Sequence, residues 1–208
     1  MTGPSQQWLP PTGPPVATDP PVRKVWPRIL FWGGITLMIL GFLGLMGDWA
    51  TRTWEMNQLL SRIEKSEDAM RVAQDDIGAV DLPDDAAEPD KRAAIQELED
   101  AAADGRDSIR SAGQQVAAVS FLPWHTELIG AQAAYLDHNG AWVEYLDRGA
   151  EQPLTLFGDD NRIEPTWRAA EIALRIAAPI PALPPIPQRL DSIFTDEEPE
   201  DVPGGIPA

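Results

Sequence analysis

The chain has no cysteine among its 208 residues and only two histidines. The absence of cysteine excludes disulfides, thiolate metal sites and cysteine nucleophiles together. The scarcity of histidine leaves few candidates for general acid–base catalysis. The sequence also lacks the G-x-S-x-G, H-E-x-x-H and G-x-x-x-x-G-K-[ST] motifs of common catalytic and phosphate-binding sites. We therefore expect a protein that is not an enzyme and that uses no cofactor.

Basic residues are also scarce, with 16 Lys and Arg against 33 Asp and Glu and a net charge of −17. Nucleic-acid binding requires cationic side chains that displace counterions from phosphates, so no nucleic-acid partner is expected. Arginine outnumbers lysine 13 to 3, and alanine is abundant. This bias is typical of a GC-rich genome and indicates a bacterial source.

Proline is concentrated at the two ends of the chain, with eight of the 21 prolines in residues 1–27 and eight in 179–207. Because proline fixes φ and lacks a backbone donor, dense clusters oppose both helix and sheet. We predict a Pro-rich arm over 1–28 and a Pro-rich, acidic, disordered tail over 179–208. An alternative for the tail is a short docking helix anchored by Leu190, Ile193 and Phe194.

The segment 29–47 contains nineteen residues and no charge. As a helix it would be about 28 Å long, close to the roughly 30 Å hydrocarbon thickness of a bilayer. We therefore predict a transmembrane helix and a lipid partner. A cleaved secretory signal is less favoured, because the preceding region is long and Gly47-Asp48-Trp49-Ala50 is a poor cleavage site. A buried core helix is also less favoured, because the segment is apolar on every face.

The flanks of the segment indicate its orientation. Arg23, Lys24 and Arg28 precede it, and Asp48 follows it. The positive-inside rule then predicts a single-pass protein of the bacterial cell membrane with a cytoplasmic N-terminus and an extracytoplasmic C-terminus. Trp26 and Trp49 lie at the two ends of the segment, where interfacial aromatic residues collect.

Beyond the membrane the sequence predicts an all-α fold. Apolar residues with a spacing of three to four indicate helices at about 48–80, 90–119, from Pro123 past Gly140, and 165–178. The dipeptide Asn139-Gly140 could instead form a hairpin turn, but the helical phase continues through it. Four helices with short connections predict an antiparallel bundle of three to four helices over residues 48–178.

The third predicted helix carries the candidate ligand-binding residues. Its seam includes Trp124, Tyr135, His138 and Trp142, which alternate with small and aliphatic residues. Aromatic residues facing Ala and Gly on a neighbouring helix could leave a pocket, so Tyr135, His138 and Trp142 are a candidate small-ligand site. For His138 alone, an ordinary hydrogen-bonded core histidine is favoured over a haem ligand or a proton sensor.

Two acidic stretches are candidate metal sites. Residues 75–90 contain seven carboxylates, and Asp159-Asp160-Asn161 forms a second cluster. Oxygen ligands suit Ca²⁺ or Mg²⁺, but the EF-hand pattern is missing and acidic residues are common before helices. We therefore expect no metal site.

The functional hypothesis from sequence is a non-enzymatic accessory subunit or self-associating scaffold of the bacterial envelope. Its motivation is a single membrane anchor, long amphipathic helices and the lack of a catalytic motif. The alternative is an extracytoplasmic sensor that binds a small ligand and signals through a partner. Both hypotheses require a protein partner or self-association.

Overall fold

A computed structural model describes residues 26–81, 87–158 and 162–194. These residues form five α-helices and one short 3-10 helix, Pro153–Phe157. The α-helices are α1 (Trp26–Ala79), α2 (Glu88–Ala117), α3 (Thr126–Glu151), α4 (Ile163–Ala177) and α5 (Pro185–Phe194). The three described ranges contain no strand. The prediction of an all-α protein is thus confirmed.

The chain divides into two compact units, the first ending at Leu43 and the second spanning Gly44–Ala208. The described residues of the first unit belong to α1. Between Leu30 and Leu43 their large apolar side chains are 53% to 75% exposed, except for Ile35, which is partly buried. Within the described ranges, α1 is the one helix that is long and apolar enough to cross a membrane by length and composition.

In the second unit, α1 becomes amphipathic and buries the seam that its spacing predicts. The buried residues of this seam are Met56, Leu59, Ile63, Ser66, Met70 and Ala73. No helix-breaking proline interrupts α1, so the helix continues from residue 26 to residue 79 as expected. The seam contributes to two core clusters.

The larger core cluster joins α1 to α3, α4 and α5. It is centred on side chains such as Leu60, Tyr135, Leu174 and Leu190, all of which are almost fully buried. Burial of apolar area at about 25 cal/mol per Å² is the main force that holds these helices together. One of its buried residues, Ile193, also lines the open cavity described below.

The second cluster joins α1, α2 and α3 through Leu98, Ile109 and Leu146. Small residues on α2 let the helices approach closely. A Cβ added to Gly105 would lie 2.7 Å from the Cβ of Ala73, so only glycine allows this approach. The apolar spacing predicted over about 90–119 corresponds to a buried face of α2, which contains Leu98, Ala102, Gly105, Ile109, Ala112 and Val116.

Contacts between side chains show the direction of neighbouring helices. Arg62 donates to Gln115 at 3.1 Å, whereas Gly105 faces Ala73, so α1 and α2 run in opposite directions. Gln132 donates to the Val116 carbonyl, and Gly113 faces Asn139, so α2 and α3 are also antiparallel.

Helix α3 continues through Asn139-Gly140, which confirms the helical prediction over the hairpin alternative. Asn139 is buried, and its amide donates to Ser66 Oγ at 3.0 Å and to the Ile109 carbonyl at 3.1 Å. A residue with a strong turn propensity is therefore retained inside a helix because it links α3 to both α1 and α2.

The prediction for Trp124 was wrong. This residue precedes α3, and its side chain is 62% exposed rather than part of the seam. Its indole N–H donates to Asp48 Oδ1 at 2.8 Å. The helix begins at Thr126, so the 3–4 spacing does not extend back to Trp124.

The prediction of a disordered tail from residue 179 was also wrong over residues 185–194, which form α5. Ile186, Leu190 and Ile193 bury one face of this helix. Its two prolines, Pro185 and Pro187, lie in the first turn, where the missing N–H has no helical acceptor. Arg189 fixes α5 to α1 through both carboxylate oxygens of Glu64, at 2.6 and 2.9 Å. The alternative of a docking helix was correct.

Candidate functional site

The second unit contains an open cavity of about 1180 Å³ between α1, α3, α4 and α5. Its wall contains polar, charged, aromatic and aliphatic side chains. The lining residues are Glu67, Met70, Arg71, Gln74, His138, Trp142, Ile163, Glu164, Trp167, Gln188, Asp191, Ser192 and Ile193. We refer to this feature as the open cavity.

The structure places two of the three candidate ligand-binding residues on the wall of the open cavity and the third behind it. His138 and Trp142 line it directly. Tyr135 is fully buried beneath the wall, and its hydroxyl donates to Glu67 Oε1 at 2.6 Å. Because Glu67 lines the cavity, this hydrogen bond connects the buried Tyr135 to the cavity wall.

Glu67 has an unusual electrostatic environment. Burial disfavours its charged form and raises the pKa of this carboxyl to about 7, although the Tyr135 hydrogen bond partly opposes the shift. Burial and the adjacent Glu67 also raise the pKa of the Tyr135 phenol well above its ordinary value. Glu67 therefore changes its charge near neutral pH, while Tyr135 remains a hydrogen-bond donor.

His138 is neutral near pH 7, because burial lowers its pKa to about 4. Its Nδ1 lies 3.2 Å from Thr166 Oγ1, and its ring lies 4.9 Å from the ring of Trp167. A pKa of about 4 puts His138 outside the range of a proton sensor near neutral pH. Its contacts are those of the hydrogen-bonded core histidine that the sequence favoured.

Aromatic rings form much of the remaining wall. Trp167 packs against Phe194 of α5 with ring centroids 4.5 Å apart. Trp142 packs edge-on against Tyr145 at 5.7 Å. These contacts hold both indoles in place while leaving them partly exposed to the cavity. Trp167 and Glu67 were not among the site residues predicted from sequence, because they lie on helices whose relative register the sequence does not show.

The charges on the cavity wall are mostly paired with residues outside it. Arg71 contacts Asp68 at 2.9 Å, and Asp191 contacts Arg175 at 3.1 Å. Glu164 is paired with Arg168 at 2.5 Å. None of these partners lines the cavity, so within the part of the chain that the structure describes the wall carries three carboxylates and one guanidinium.

A second polar cluster was not predicted from the sequence. His125 is buried just before α3, with its Nδ1 bonded to Glu55 and its Nε2 3.1 Å from Asp48 Oδ1. Glu55 is also buried and accepts the backbone N–H of Leu122 at 2.9 Å. Asp48 and Glu55 are seven residues apart, so they share one face of α1. This seven-residue spacing is the feature of the sequence that could have indicated the cluster.

The electrostatics of this second cluster favour a charged imidazole. Burial alone would lower the pKa of His125, but the hydrogen bonds to the Glu55 and Asp48 carboxylates outweigh it and raise the pKa. The two carboxylates contact opposite edges of the ring and do not converge on one point. The arrangement thus connects α1 to the loop before α3 as a buried ion pair.

The other residues singled out in the sequence lie elsewhere. Arg23, Lys24, Asp84, Asp85 and the cluster 159–161 lie outside the described residues. Trp26 and Arg28 belong to α1. Trp49 donates its indole N–H to the Pro181 carbonyl at 3.0 Å. Among the residues that the structure describes, no three His, Asp or Glu side chains are grouped as metal ligands.

Comparison of the chain with protein-family models, with curated proteins and with solved structures found no match.

Proposed function

We propose that this chain is a non-enzymatic, single-pass membrane protein of the bacterial envelope that acts as an accessory subunit or interaction scaffold. The exposed apolar side chains of α1 support the membrane anchor. Between Leu30 and Met46 the large apolar side chains are 41% to 75% exposed, with the exception of the partly buried Ile35, and such a surface is stable when hydrocarbon covers it. Arg23, Lys24 and Arg28 support a cytoplasmic N-terminus.

The second unit is proposed to be an antiparallel helical bundle outside the membrane. The opposite directions of α1 and α2, and of α2 and α3, support this arrangement. The two core clusters bury the inner faces of the helices around Tyr135 and Ile109. These features match the packing of small helical bundles, which bury one stripe of each helix.

The observation that carries the interaction role is an apolar stripe on α4 and the residues after it. Ile172, Ile176 and Ile180 are spaced four apart and are 60%, 66% and 92% exposed. The opposite face of α4 buries Ala170, Leu174 and Ala177 in the core. Ile172 and Ile176 share one face of α4, and Ile180 follows the helix; three exposed isoleucines in water are unfavourable, and interfaces use such residues as their apolar centre. We propose that another protein, or a second copy of this chain, covers the stripe.

The test is crosslinking of the tagged full-length protein in its native membrane, followed by mass spectrometry. The double variant Ile172→Gln, Ile176→Gln should lose the crosslinked partner while keeping the wild-type melting temperature. Val72→Gln is a matched control, because Val72 is 58% exposed on α1 and outside the stripe. A different protein in the crosslinks identifies an accessory subunit, and crosslinks to itself identify a scaffold. If wild type and double variant give the same crosslinks, the stripe is not the interface.

The second candidate function is an extracytoplasmic small-ligand sensor, favoured by one specific observation. Of the three residues predicted to bind a ligand, His138 and Trp142 line the open cavity, and Tyr135 is hydrogen-bonded to Glu67 on its wall. A ligand that binds the folded state raises the melting temperature by mass action. A thermal-shift screen of a broad compound library tests this function, and a flat result across all chemical classes would reject it.

A further inference from the structure

We propose that the open cavity binds an organic cation, meaning an ammonium group attached to an apolar body. This inference rests on the second candidate function, ligand binding, and gives the chemical class of the ligand. It is independent of which protein covers the stripe on α4. Three features of the cavity wall support it: the sign of its charge, the position of Glu67 and the two indole rings.

The wall favours a cation because its carboxylates outnumber its bases. Glu67, Glu164 and Asp191 face the cavity from α1, α4 and α5, against the single guanidinium of Arg71. Arg71 forms an ion pair with Asp68, which makes the Arg71 guanidinium less available to an anion. His138 is neutral near pH 7 and adds no positive charge. Glu164 and Asp191 are likewise paired with Arg168 and Arg175, which leaves Glu67, whose hydrogen-bond partner is neutral, as the wall carboxylate that favours a cation.

Glu67 is the carboxylate placed to contact the charged part of the ligand. Its Oε1 accepts the Tyr135 hydroxyl, which orients the carboxyl group without neutralising it. By contrast, Glu164 and Asp191 already have arginine partners at 2.5 and 3.1 Å. A neutral donor on one oxygen leaves the second oxygen to face an ammonium group, and opposite charges attract more strongly in a partly buried site than in water.

The indoles of Trp142 and Trp167 suit both parts of such a ligand. Indole faces attract cations through their quadrupole, and tryptophan is the strongest of the aromatic residues in this respect. Both rings are fixed by neighbours, Trp142 by Tyr145 and Trp167 by His138 and Phe194. Met70, Ile163 and Ile193 supply apolar surface for the uncharged body of the ligand.

Binding should release a proton near neutral pH. Glu67 has a pKa of about 7, and a cation beside it stabilises the charged carboxylate. The charged or titratable groups around Glu67 on every adjacent helix are Asp68 and Arg71 of α1, Tyr135 and His138 of α3, Glu164 of α4 and Asp191 of α5. Affinity for a cation should therefore increase as the pH rises from 6 to 8.

The experiment is isothermal titration of the full-length protein in an uncharged maltoside detergent. The probes are choline and its uncharged isostere 3,3-dimethyl-1-butanol, which differ in charge and hardly in shape. We expect choline to bind at least about tenfold more tightly than the isostere. Glu67→Gln should remove most of that difference, and Trp142→Leu should weaken choline binding. Glu97→Gln, an exposed carboxylate on α2, should bind choline like the wild type.

Three other results would contradict the cation inference, alone or together with the sensor function. Equal binding of choline and the isostere would overturn the cation inference but keep a ligand-binding cavity. Unchanged choline binding by Glu67→Gln would place the cation elsewhere and also overturn the inference. If neither probe binds and the library screen is flat, both the inference and the sensor function fail, and the scaffold proposal is unaffected. Melting temperatures of all variants check that each one is folded.

Discussion

The Tyr135 hydroxyl donates a 2.6 Å hydrogen bond to Oε1 of Glu67 and so connects the core of α3 to the wall of the open cavity. Tyr135 is fully buried, and Glu67 has a pKa of about 7 because of its own burial. The pair therefore puts a group that titrates near neutral pH at the surface of a ligand-sized space. Both the stability of the domain and its affinity for ligands should depend on the charge of this one carboxyl.

Glu67→Gln should stabilise the domain at high pH. An ordinary glutamate titrates near 4.5, so the unfolded chain loses its proton well before the folded chain does. Below pH 4.5 both states are protonated, and this group imposes no penalty. As the pH rises from 4.5 through 7 the wild type loses stability, by roughly 3 kcal/mol at most. Glutamine keeps the acceptor for Tyr135 and avoids this loss.

The measurement is denaturant unfolding of wild type and Glu67→Gln at pH 4 and pH 8. The variant should match the wild type at pH 4 and exceed it at pH 8. Glu97→Gln controls for the loss of one negative charge, because Glu97 is exposed. A variant that is less stable than the wild type at pH 8 would contradict a raised pKa at Glu67.

His125→Asn should destabilise the domain strongly near pH 6. It removes the cation between Asp48 and Glu55 and leaves the Glu55 carboxylate buried without its charged partner. Breaking a buried ion pair in this way costs about 3 kcal/mol or more. The His125 pKa is raised in the folded state, so its contribution is complete below the ordinary value of 6.5 and is lost as the pH rises through the folded pKa.

Unfolding of wild type and His125→Asn should therefore be compared from pH 6 to pH 10. The difference in unfolding free energy should be largest at pH 6 and should shrink toward pH 10. Asp48→Asn is the companion variant, because it keeps the contact of His125 with Glu55 and should have a smaller effect. A difference that grows with pH is inconsistent with a charged His125.

Much of the helical fold could be predicted from periodicity. The seam of α1 from Met56 to Ala73 was correct, because a continuous amphipathic pattern without proline permits one interpretation. The tail prediction was wrong over 185–194, because the apolar spacing of Ile186, Leu190 and Ile193 determines the structure there and the proline density does not. Prolines confined to a first turn do not oppose a helix.

The candidate site could be predicted in part. Tyr135, His138 and Trp142 lie on one helix, so spacing alone groups them. Glu67 and Trp167 come from other helices, and their approach depends on the register of α1 and α4 against α3. The same limit explains why the contact between His125 and Glu55 was missed, since 70 residues separate the two.

The close approach of α1 and α2 predicts opposite effects for two glycine substitutions. At Gly105 a new Cβ would lie 2.7 Å from Ala73 Cβ and 3.6 Å from its Cα, so the helices must separate. Overpacking costs about 1–3 kcal/mol, more than the roughly 1 kcal/mol gained in helix propensity. Gly105→Ala should thus destabilise the domain, as measured by urea unfolding.

Gly140→Ala is the matched control within α3. A Cβ at this position meets nothing within 4 Å, so only the propensity gain remains. Gly140→Ala should therefore stabilise the domain by up to about 1 kcal/mol. Equal effects of the two substitutions would contradict the contact between α1 and α2.

The proposed topology can be tested cleanly because the chain has no cysteine of its own. A membrane-impermeant maleimide on intact cells should label Ser111→Cys, an exposed position on α2, and should label Ser5→Cys only after the membrane is permeabilised. The reverse pattern would invert the orientation, and labelling of neither variant before lysis would contradict an extracytoplasmic domain. An N-terminal tag that remains on the membrane-bound protein distinguishes an anchor from a cleaved signal, since cleavage would remove the tag together with the apolar segment. Retention of the tag after an alkaline wash would then leave the exposed apolar part of α1 as the element that holds the protein in the bilayer.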